Sequence, residues 1–232
     1  MRQIILDTET TGLEPERGHR IIEIGGVELI NRRFTGNDFH RYFNPGREID
    51  GAALEVHGLT TEFLSDKPRF EDTVAELLDY LAGAELIIHN AAFDIAFLNY
   101  ELDRCKRQPM SECCAGVVDS LRMAKDLHPG KRNGLDALCE RYQIDNSART
   151  RHSALLDARL LAEIYLCMTR GQESLAMEVE APAATAAAEA ALGALDLVVI
   201  RATVEELAEH ARQLQEIDKA SGGRCLWKAA EA

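Results

Sequence analysis

The sequence predicts an α/β fold in which a mixed five-stranded sheet is flanked by helices. Short runs rich in Ile, Leu and Val alternate with longer segments whose apolar residues recur every three or four positions, which are the spacings of strands and amphipathic helices. A two-residue connection at 31–32 predicts that two of the strands form an antiparallel pair. The expected strands are 2–7, 20–30, 33–43, 86–89 and 117–118, and the expected helices are 70–82, 92–105, 119–127, 134–142 and 153–168.

The first candidate site motif lies at the end of the first strand. An apolar run leads to Asp7 and Glu9, and residues 10–12 then predict a turn. Side chains two residues apart on a strand point to the same face, where two like charges are unfavourable without a partner. A lone D-x-E pair is more often a solvated strand end, but the two motifs described next favour a functional site.

A second acid lies near the start of the helix that follows the strand at 86–89. The predicted helix begins at residues 90–92, and its apolar stripe contains Phe97, Leu98 and Leu102. Asp94 has helical spacing to all three, so it lies on the same stripe and faces the core. A favourable interaction with the helix dipole is the alternative explanation for an acid at this position.

His152 and Asp157 lie on either side of a third helix start. Ser153 is the expected cap of this helix, and Asp157 shares the inward face with Leu160 and Leu161. His152 precedes the cap, on the connecting loop. A histidine beside a helix start is commonly structural, but in a chain with two other buried-acid motifs it is better explained as a general base.

Composition limits the class of protein. A chain of 232 residues fits one domain plus a small appendage. The net charge of −13 argues against strong autonomous DNA binding, which normally needs a basic face. The sequence has no apolar run long enough to span a membrane, and Asp7 interrupts the apolar N-terminal stretch, so we expect no signal peptide, no membrane partner and a cytoplasmic location.

The cysteines show no C-x-x-C pair and no zinc-site spacing. We therefore expect them to be reduced and to serve mainly in packing. They are Cys105, Cys113, Cys114, Cys139, Cys167 and Cys225.

The three motifs together match the pattern D-x-E, Asp and H-x4-D, so the chain resembles the DEDDh exonucleases of the DnaQ family. The similarity extends to that family's proofreading subunits of bacterial replicative polymerases, through stretches such as LDTETTG, GAELIIHNAAFDIAFLNYE and HSALLDARLLAEIYLCMT. The resemblance implies a ribonuclease H-like fold in an exonuclease domain at residues 1–175. It also implies that the chain removes mispaired 3′-terminal nucleotides as 5′-monophosphates, in the 3′→5′ direction.

The resemblance further implies the roles of the site residues. Asp7, Glu9, Asp94 and Asp157 would hold two divalent ions, Mg²⁺ or Mn²⁺, about 4 Å apart, with Asp7 bridging them. His152 would take the proton of the attacking water. The residues expected to bind the substrate are Asp7, Thr8, Glu9, Val56, His57, Asn90 and Phe93.

One position departs from the family. Its proofreading subunits often carry a glutamate that contacts the terminal sugar, in the loop before Val56. This chain has Ala52 there. Asp50 and Glu55 are the neighbouring carboxylates that are candidates to replace it.

The chain beyond residue 175 is predicted to be a flexible linker followed by a partner-binding segment. Residues 176–194 are mostly Ala with Glu, Pro and Thr, a composition typical of linkers. In residues 195–232, a short strand is expected at 197–200, and Thr203 and Glu206 form a capping box that begins an amphipathic helix. So short a segment buries little core alone, and we expect it to dock on a partner through Leu207, Ala211, Leu214 and Trp227.

The resemblance implies the partners as well. They are the catalytic (alpha) subunit of DNA polymerase III, a small theta-like subunit and the single-stranded 3′ end of DNA. Gln172, Leu175 and Met177 also resemble a peptide that binds the bacterial sliding clamp, although such short patterns occur often by chance.

Two other functions stay open on the sequence alone. RNA 3′-exonucleases related to ribonuclease T or oligoribonuclease share the five residues, but they usually lack a linker with a docking tail and act as dimers. A structural polymerase subunit with a decayed site is the non-enzymatic alternative, which the presence of all five residues opposes. Nuclease activity on labelled DNA and RNA, with and without Mg²⁺, distinguishes the three.

Overall fold

In a computed structural model, which describes residues 1–170, 202–223 and 227, the chain divides into two compact units, residues 1–176 and 177–232. The first unit contains a six-stranded mixed sheet. Its strands are β1 (Arg2–Thr10), β2 (Ile21–Ile30), β3 (Arg33–Phe34), β4 (Phe39–Tyr42), β5 (Glu85–Ile88) and β6 (Gly116–Asp119).

The pairing of the strands confirms the predicted mixed sheet. The strand order is β3-β2-β1-β5-β6, and β4 also pairs with β2. The β2 strand is antiparallel to β1, β3 and β4, whereas β5 is parallel to β1 and β6. The β1 strand continues to Thr10, three residues beyond the predicted end.

The predicted strand at 33–43 was wrong as a single strand, because the chain leaves the sheet between β3 and β4. The Thr35 hydroxyl donates to the Glu28 carboxylate at 2.8 Å, and Gly36 adopts a positive φ of 79° that few other residues tolerate. The chain then returns to pair with β2 at residues 23–26. The sheet therefore has six strands rather than five.

All five predicted helices are confirmed to within one residue at each end. Within the described residues, three further α-helices were not predicted, because at four to seven residues they are too short to show a helical period. The helices of the first unit are α1 (Gly51–His57), α2 (Thr61–Leu64), α3 (Phe70–Leu81), α4 (Ala91–Arg104), α5 (Met110–Cys113), α6 (Ser120–Leu127), α7 (Leu135–Tyr142) and α8 (Ala154–Met168).

The helices cover both faces of the sheet, and the alternation of β1 decides which residues face them. Ile4 and Leu6 belong to a core cluster with α3 and α4, whereas Ile5 belongs to a cluster with α8. The odd-numbered residues at the end of β1 thus lie on the α8 side, and Thr8 lies on the α4 side.

Two contacts place the helices that carry site residues. A Cβ at Gly25 of β2 would lie 2.2 Å from the backbone of Ala154, so the start of α8 approaches β2 closely only because this residue is glycine. On the other face, the Arg20 guanidinium donates to both oxygens of the fully buried Glu101 at 2.6 and 2.7 Å. This bidentate pair holds α4 against the start of β2, two turns after Asp94.

The second unit contains the predicted amphipathic helix, α9 (Val204–Ala220). Its capping box is confirmed, since the Thr203 N–H donates to Glu206 at 2.7 Å and the Glu206 N–H donates to the Thr203 hydroxyl at 3.2 Å. Leu207 is 57% exposed and Trp227 71% exposed. Ala211 is also exposed and Leu214 is partly buried.

Several predictions fall outside the described residues. They are the linker, the strand at 197–200, the clamp-binding peptide with Gln172, Leu175 and Met177, and Cys225. The other five cysteines are free thiols. Among the helices that the structure describes, none has the length and apolar character needed to cross a membrane.

Candidate active site

The site lies where β1 extends beyond its parallel neighbour. The β1 and β5 strands pair only over Gln3–Ile5, so Asp7 and Glu9 continue past the last paired residue. The chain leaves β5 through His89 and enters α4 at the same end of the sheet. The carboxyl ends of parallel strands are the usual location of ligand sites in α/β sheets.

The structure brings the five residues of the three motifs together around two adjoining cavities. A cavity of about 420 Å³ is lined by Asp7, Glu9, Asp94 and His152. A second cavity, of about 460 Å³, shares Asp7 and His152 with the first and adds Asp157. The exposed fractions of Glu9, Asp94 and Asp157 are 8%, 4% and 3%, so three carboxylates are buried as the sequence predicts.

Asp94 reaches this site from the α4 side. The Thr8 hydroxyl donates to Asp94 Oδ1 at 2.7 Å, so the residue between Asp7 and Glu9 orients the acid from the second motif. Asn90 at the start of α4 adopts a positive φ of 70°, a conformation that Asn tolerates better than most residues. It lines the first cavity beside Phe93.

Burial and mutual repulsion keep protons on the acids of the cluster. Burial raises the pKa of Glu9 to about 8, with the charge of Glu23 as the next cause. Burial raises the pKa of Asp94 to about 7, and the bond from Thr8 opposes this rise. The pKa of Asp7 is well above its usual range because the group is desolvated and faces Asp94 and Glu9. At neutral pH such a cluster is therefore only partly ionised unless positive charge is added.

Arg149 supplies part of that charge. Its guanidinium donates two hydrogen bonds to the Asp157 carboxylate, at 2.6 and 2.8 Å. It also donates to both oxygens of Asp136, at 2.9 Å each. Its Nη2 also lies 3.0 Å from Nε2 of His152. Burial and the positive charge of Arg149 lower the pKa of His152, so the imidazole is neutral at pH 7.

Three side chains of the cluster lie close enough together to surround a divalent cation. Ligand atoms of Glu9, His152 and Asp157 all lie within 4.8 Å of one another. The carboxylate oxygens of this group suit hard divalent ions such as Mg²⁺, Ca²⁺ and Mn²⁺. The raised pKa values of the neighbouring acids show why a positive ion would stabilise this arrangement.

The substrate-binding residues expected from the sequence line the first cavity: Thr8, Val56, His57, Asn90 and Phe93. Ala52 and Asp50 line it as well, but Glu55 does not. The Leu59 N–H donates to Nδ1 of His57 at 2.9 Å, so the proton of the neutral ring is on Nε2. That Nε2 is buried and has no hydrogen-bond partner among the described residues.

Sequence reasoning missed three polar residues of this region. Arg149 contacts both Asp157 and His152, His89 lines both cavities, and Glu23 lies opposite Glu9 on β2. The sequence contained a signal for Glu23, because a charged residue inside an apolar run such as IIEIGGVEL is rarely buried unless it is paired.

Stability without metal is expected to fall as the pH rises from about 6.5 to 8. Glu9 and Asp94 are ionised in the unfolded chain but still bind protons in the folded chain, so unfolding releases protons in this window. The histidines with lowered pKa values oppose this trend only at the lower end of the window, because in the unfolded chain they release their protons near the ordinary imidazole value of about 6.5. The measurement is the melting temperature in EDTA across that range.

Asp94→Asn provides the control for this pH dependence, because it removes one of the two titrating groups and should flatten the slope. Saturating Mg²⁺ should flatten it further, since the ion favours ionised carboxylates in the folded state. A parent melting temperature in EDTA that stays level or rises over this range would contradict the electrostatic account.

Comparison with known proteins gives a consistent result. Residues 4–165 match the exonuclease family. The chain is 52% identical to proteins called DNA polymerase III subunit epsilon from Escherichia coli (strain K12) and Salmonella typhimurium, over 98% of this chain and 98% of each relative. A protein of the same name from Haemophilus influenzae is 47% identical over 97% of this chain and 94% of its own length.

Solved structures show the same fold. Exonuclease X, solved with 5′ overhanging duplex DNA, is 25% identical and superposes with a TM-score of 0.56 over 72% of this chain and 90% of that chain. The nuclease domain of 3′hExo, a DEDDh family member bound to rAMP, is 19% identical with a TM-score of 0.61, over the same shares of the two chains.

Proposed function

The chain belongs to the exonuclease family, and from this premise we propose that it is the 3′→5′ proofreading subunit of a bacterial DNA polymerase III. The observation that carries the proposal is the meeting of Asp7, Glu9, Asp94, His152 and Asp157 at one end of the sheet. Their chemistry suits metal-dependent hydrolysis of phosphodiesters. The identity of 52% to epsilon subunits over nearly the whole chain supports the assignment to the polymerase.

Two divalent ions, Mg²⁺ or Mn²⁺, are proposed for the acid cluster. Glu9 and Asp157 would hold one ion, Asp94 the other, and Asp7 both. When bound, such ions lower the pKa of water and stabilise negative charge on the leaving oxygen. The raised pKa values of Asp7, Glu9 and Asp94 support this assignment, because these acids need added positive charge to ionise.

Individual residues of the chain have separate roles in the proposed hydrolysis. His152, neutral at pH 7, accepts the proton of the attacking water. The apolar walls formed by Val56 and Phe93 take the terminal nucleoside, and His57 lines the same cavity. The products are a 5′-monophosphate and a strand shortened by one nucleotide.

Proofreading follows because the site accepts unpaired 3′ ends, and the site does not need to recognise the mismatched base. A mispaired 3′ end separates from its template more easily than a paired end, because unpairing costs least at a mismatch. The cavity of about 420 Å³ is within the size range of small-molecule sites. A site that accepts only unpaired ends therefore removes mismatched nucleotides faster than matched ones.

The domain organisation is also part of the proposal. We assign residues 1–175 to the exonuclease, 176–194 to a linker and 195–232 to binding the catalytic (alpha) subunit. The exposed side chains of Leu207 and Trp227 support a docking role for the last segment. A theta-like subunit and a sliding clamp bound through Gln172, Leu175 and Met177 are proposed as further partners.

The test of the proposed activity is hydrolysis of labelled single strands by the full chain. We expect single-stranded DNA to be shortened from its 3′ end to 5′-monophosphates in Mg²⁺ or Mn²⁺, with no cleavage in EDTA. A mismatched primer end should be removed faster than a matched end. Faster cleavage of RNA than of DNA would support the RNA exonuclease alternative, and the absence of cleavage would support a structural subunit.

Removal of the second unit is expected to separate activity from assembly. Residues 1–175 should keep full activity on single-stranded DNA, because all five site residues lie within them, but should lose binding to the alpha subunit. In the full chain, Trp227→Ala should weaken that binding by about 2 kcal/mol if Trp227 is a hot spot. Titration calorimetry with purified alpha subunit measures the binding of residues 1–175 and of the Trp227→Ala chain.

The exposed Val204→Ala substitution at the start of α9 is a matched control for Trp227→Ala, since it also removes an exposed apolar side chain. It should weaken binding less than Trp227→Ala does. Undiminished affinity of residues 1–175 for the alpha subunit would place the docking surface in the first unit instead.

A further inference from the structure

Glu23 is a buried carboxylate that has no task in the reaction described above. It is fully buried in β2, and the strand register places it directly opposite Glu9. Like charges in this position destabilise an antiparallel pair. Both Glu23 and Glu9 face α8, so a specific contact on that side should explain the charge.

The contacts of Glu23 lead to the residue after His152. Its Oε1 lies 2.8 Å from Nε2 of His40 on β4 and accepts a hydrogen bond of 3.0 Å from the Ser153 hydroxyl. The Tyr42 side chain on β4 also interacts with this carboxylate, whose Oε2 is buried. Glu23 therefore connects the sheet to the start of α8.

The Ser153 hydroxyl makes this bond and does not cap its own helix. It occupies the N-cap position of α8, where a serine side chain normally accepts a hydrogen bond from the helix backbone. No such bond is present, because the hydroxyl points to Glu23 instead. Departures from a local preference are expected at functional sites.

His152 needs such support because packing does not hold it. Its side chain is 46% exposed. Its backbone N–H donates to the Val56 carbonyl at 3.2 Å, and its ring lies 3.0 Å from the Arg149 guanidinium. The bond from Ser153 to Glu23 holds the next residue, so the segment is fixed from three directions.

We propose that Glu23 is a positioning residue, which acts through the Ser153 hydroxyl to fix the backbone at His152 and so to place the imidazole beside Glu9 and Asp157. The inference rests on the proposed role of His152 as the base. Placement matters because an error of about 1 Å in a reacting group lowers rates by up to about 100-fold.

Ser153→Ala tests the connection with little risk to the fold, since it removes one hydroxyl at a helix end. In the full chain with Mg²⁺ and single-stranded DNA, we expect kcat to fall about 10-fold while KM stays unchanged. Hydrogen exchange at the His152 amide, measured without substrate, should be faster than in the parent. Ser153→Thr keeps the hydroxyl and should restore both quantities.

Two further variants complete the test. Ser65→Ala removes an exposed hydroxyl that bonds only to the Glu62 carbonyl, and it should match the parent. Glu23→Ala should also lower kcat and speed exchange at the His152 amide, and the double variant should lose less than the sum of the two single losses, because both residues contribute to one bond.

Equal kcat and equal amide exchange in Ser153→Ala and the parent would overturn the proposal. Equal losses in Ser153→Ala and Ser153→Thr would also overturn it, because the hydroxyl would then not be responsible. A parent without metal-dependent nuclease activity would contradict the proposed function instead, and the exchange measurement would still test the bond.

Discussion

Asp7→Ala is expected to abolish hydrolysis in Mg²⁺, with a loss of more than about 10³-fold, while the folded chain remains at least as stable as the parent in EDTA. Asp7 is the proposed ligand of both ions, so its removal affects both at once. Its carboxylate is desolvated and close to Asp94 and Glu9, and the pKa of the group is raised for these reasons. Replacing it with Ala therefore removes repulsion together with the ligand.

Two measurements on the same preparation check this expectation. They are the rate of nucleotide release from single-stranded DNA in Mg²⁺ and the melting temperature in EDTA. Asp79→Ala is the matched control, since it removes an exposed acid from α3 and should change neither quantity. Substantial Mg²⁺-dependent activity in the Asp7→Ala protein would exclude the bridging role, and a large drop in melting temperature would show that Asp7 supports the fold.

The long elements and the acid cluster were accessible from the sequence because each has a local pattern. Asp94 and Asp157 share helical faces with Leu98 and Leu161, so their burial follows from spacing alone. The β1 strand follows from its apolar run. Burial of several acids at the ends of different elements then predicts a common site even before the topology is known.

Other features depend on contacts between segments far apart in sequence. The division of the predicted strand at 33–43 arises from a bond between Thr35 and Glu28. The role of Arg149 depends on a fork that reaches Asp136 and Asp157 at once, and no spacing rule describes such a geometry. The close approach of α8 to β2 depends on Gly25 facing Ala154. These are properties of the packed structure rather than of any single segment.

His152→Ala is expected to lower the rate by about 10²–10⁴-fold without loss of metal or DNA binding. The imidazole ring is close to Asp157 and Arg149, yet nearly half of its side chain is exposed, so its loss leaves no buried cavity. The four carboxylates that are proposed to hold the ions remain in place. The effect should therefore appear in kcat, with the melting temperature and its shift on addition of Mn²⁺ close to those of the parent.

The pH dependence of kcat identifies the role of this residue. Burial and Arg149 lower the pKa of His152, so the rate of the parent should rise with pH on the acid side of the ordinary imidazole value of about 6.5. His152→Ala should lack this rise because no group of the same pKa replaces the ring as proton acceptor. His210→Ala, which removes an exposed histidine from α9, should keep it. Parallel pH profiles for the parent and His152→Ala would show that another group takes the proton of the attacking water.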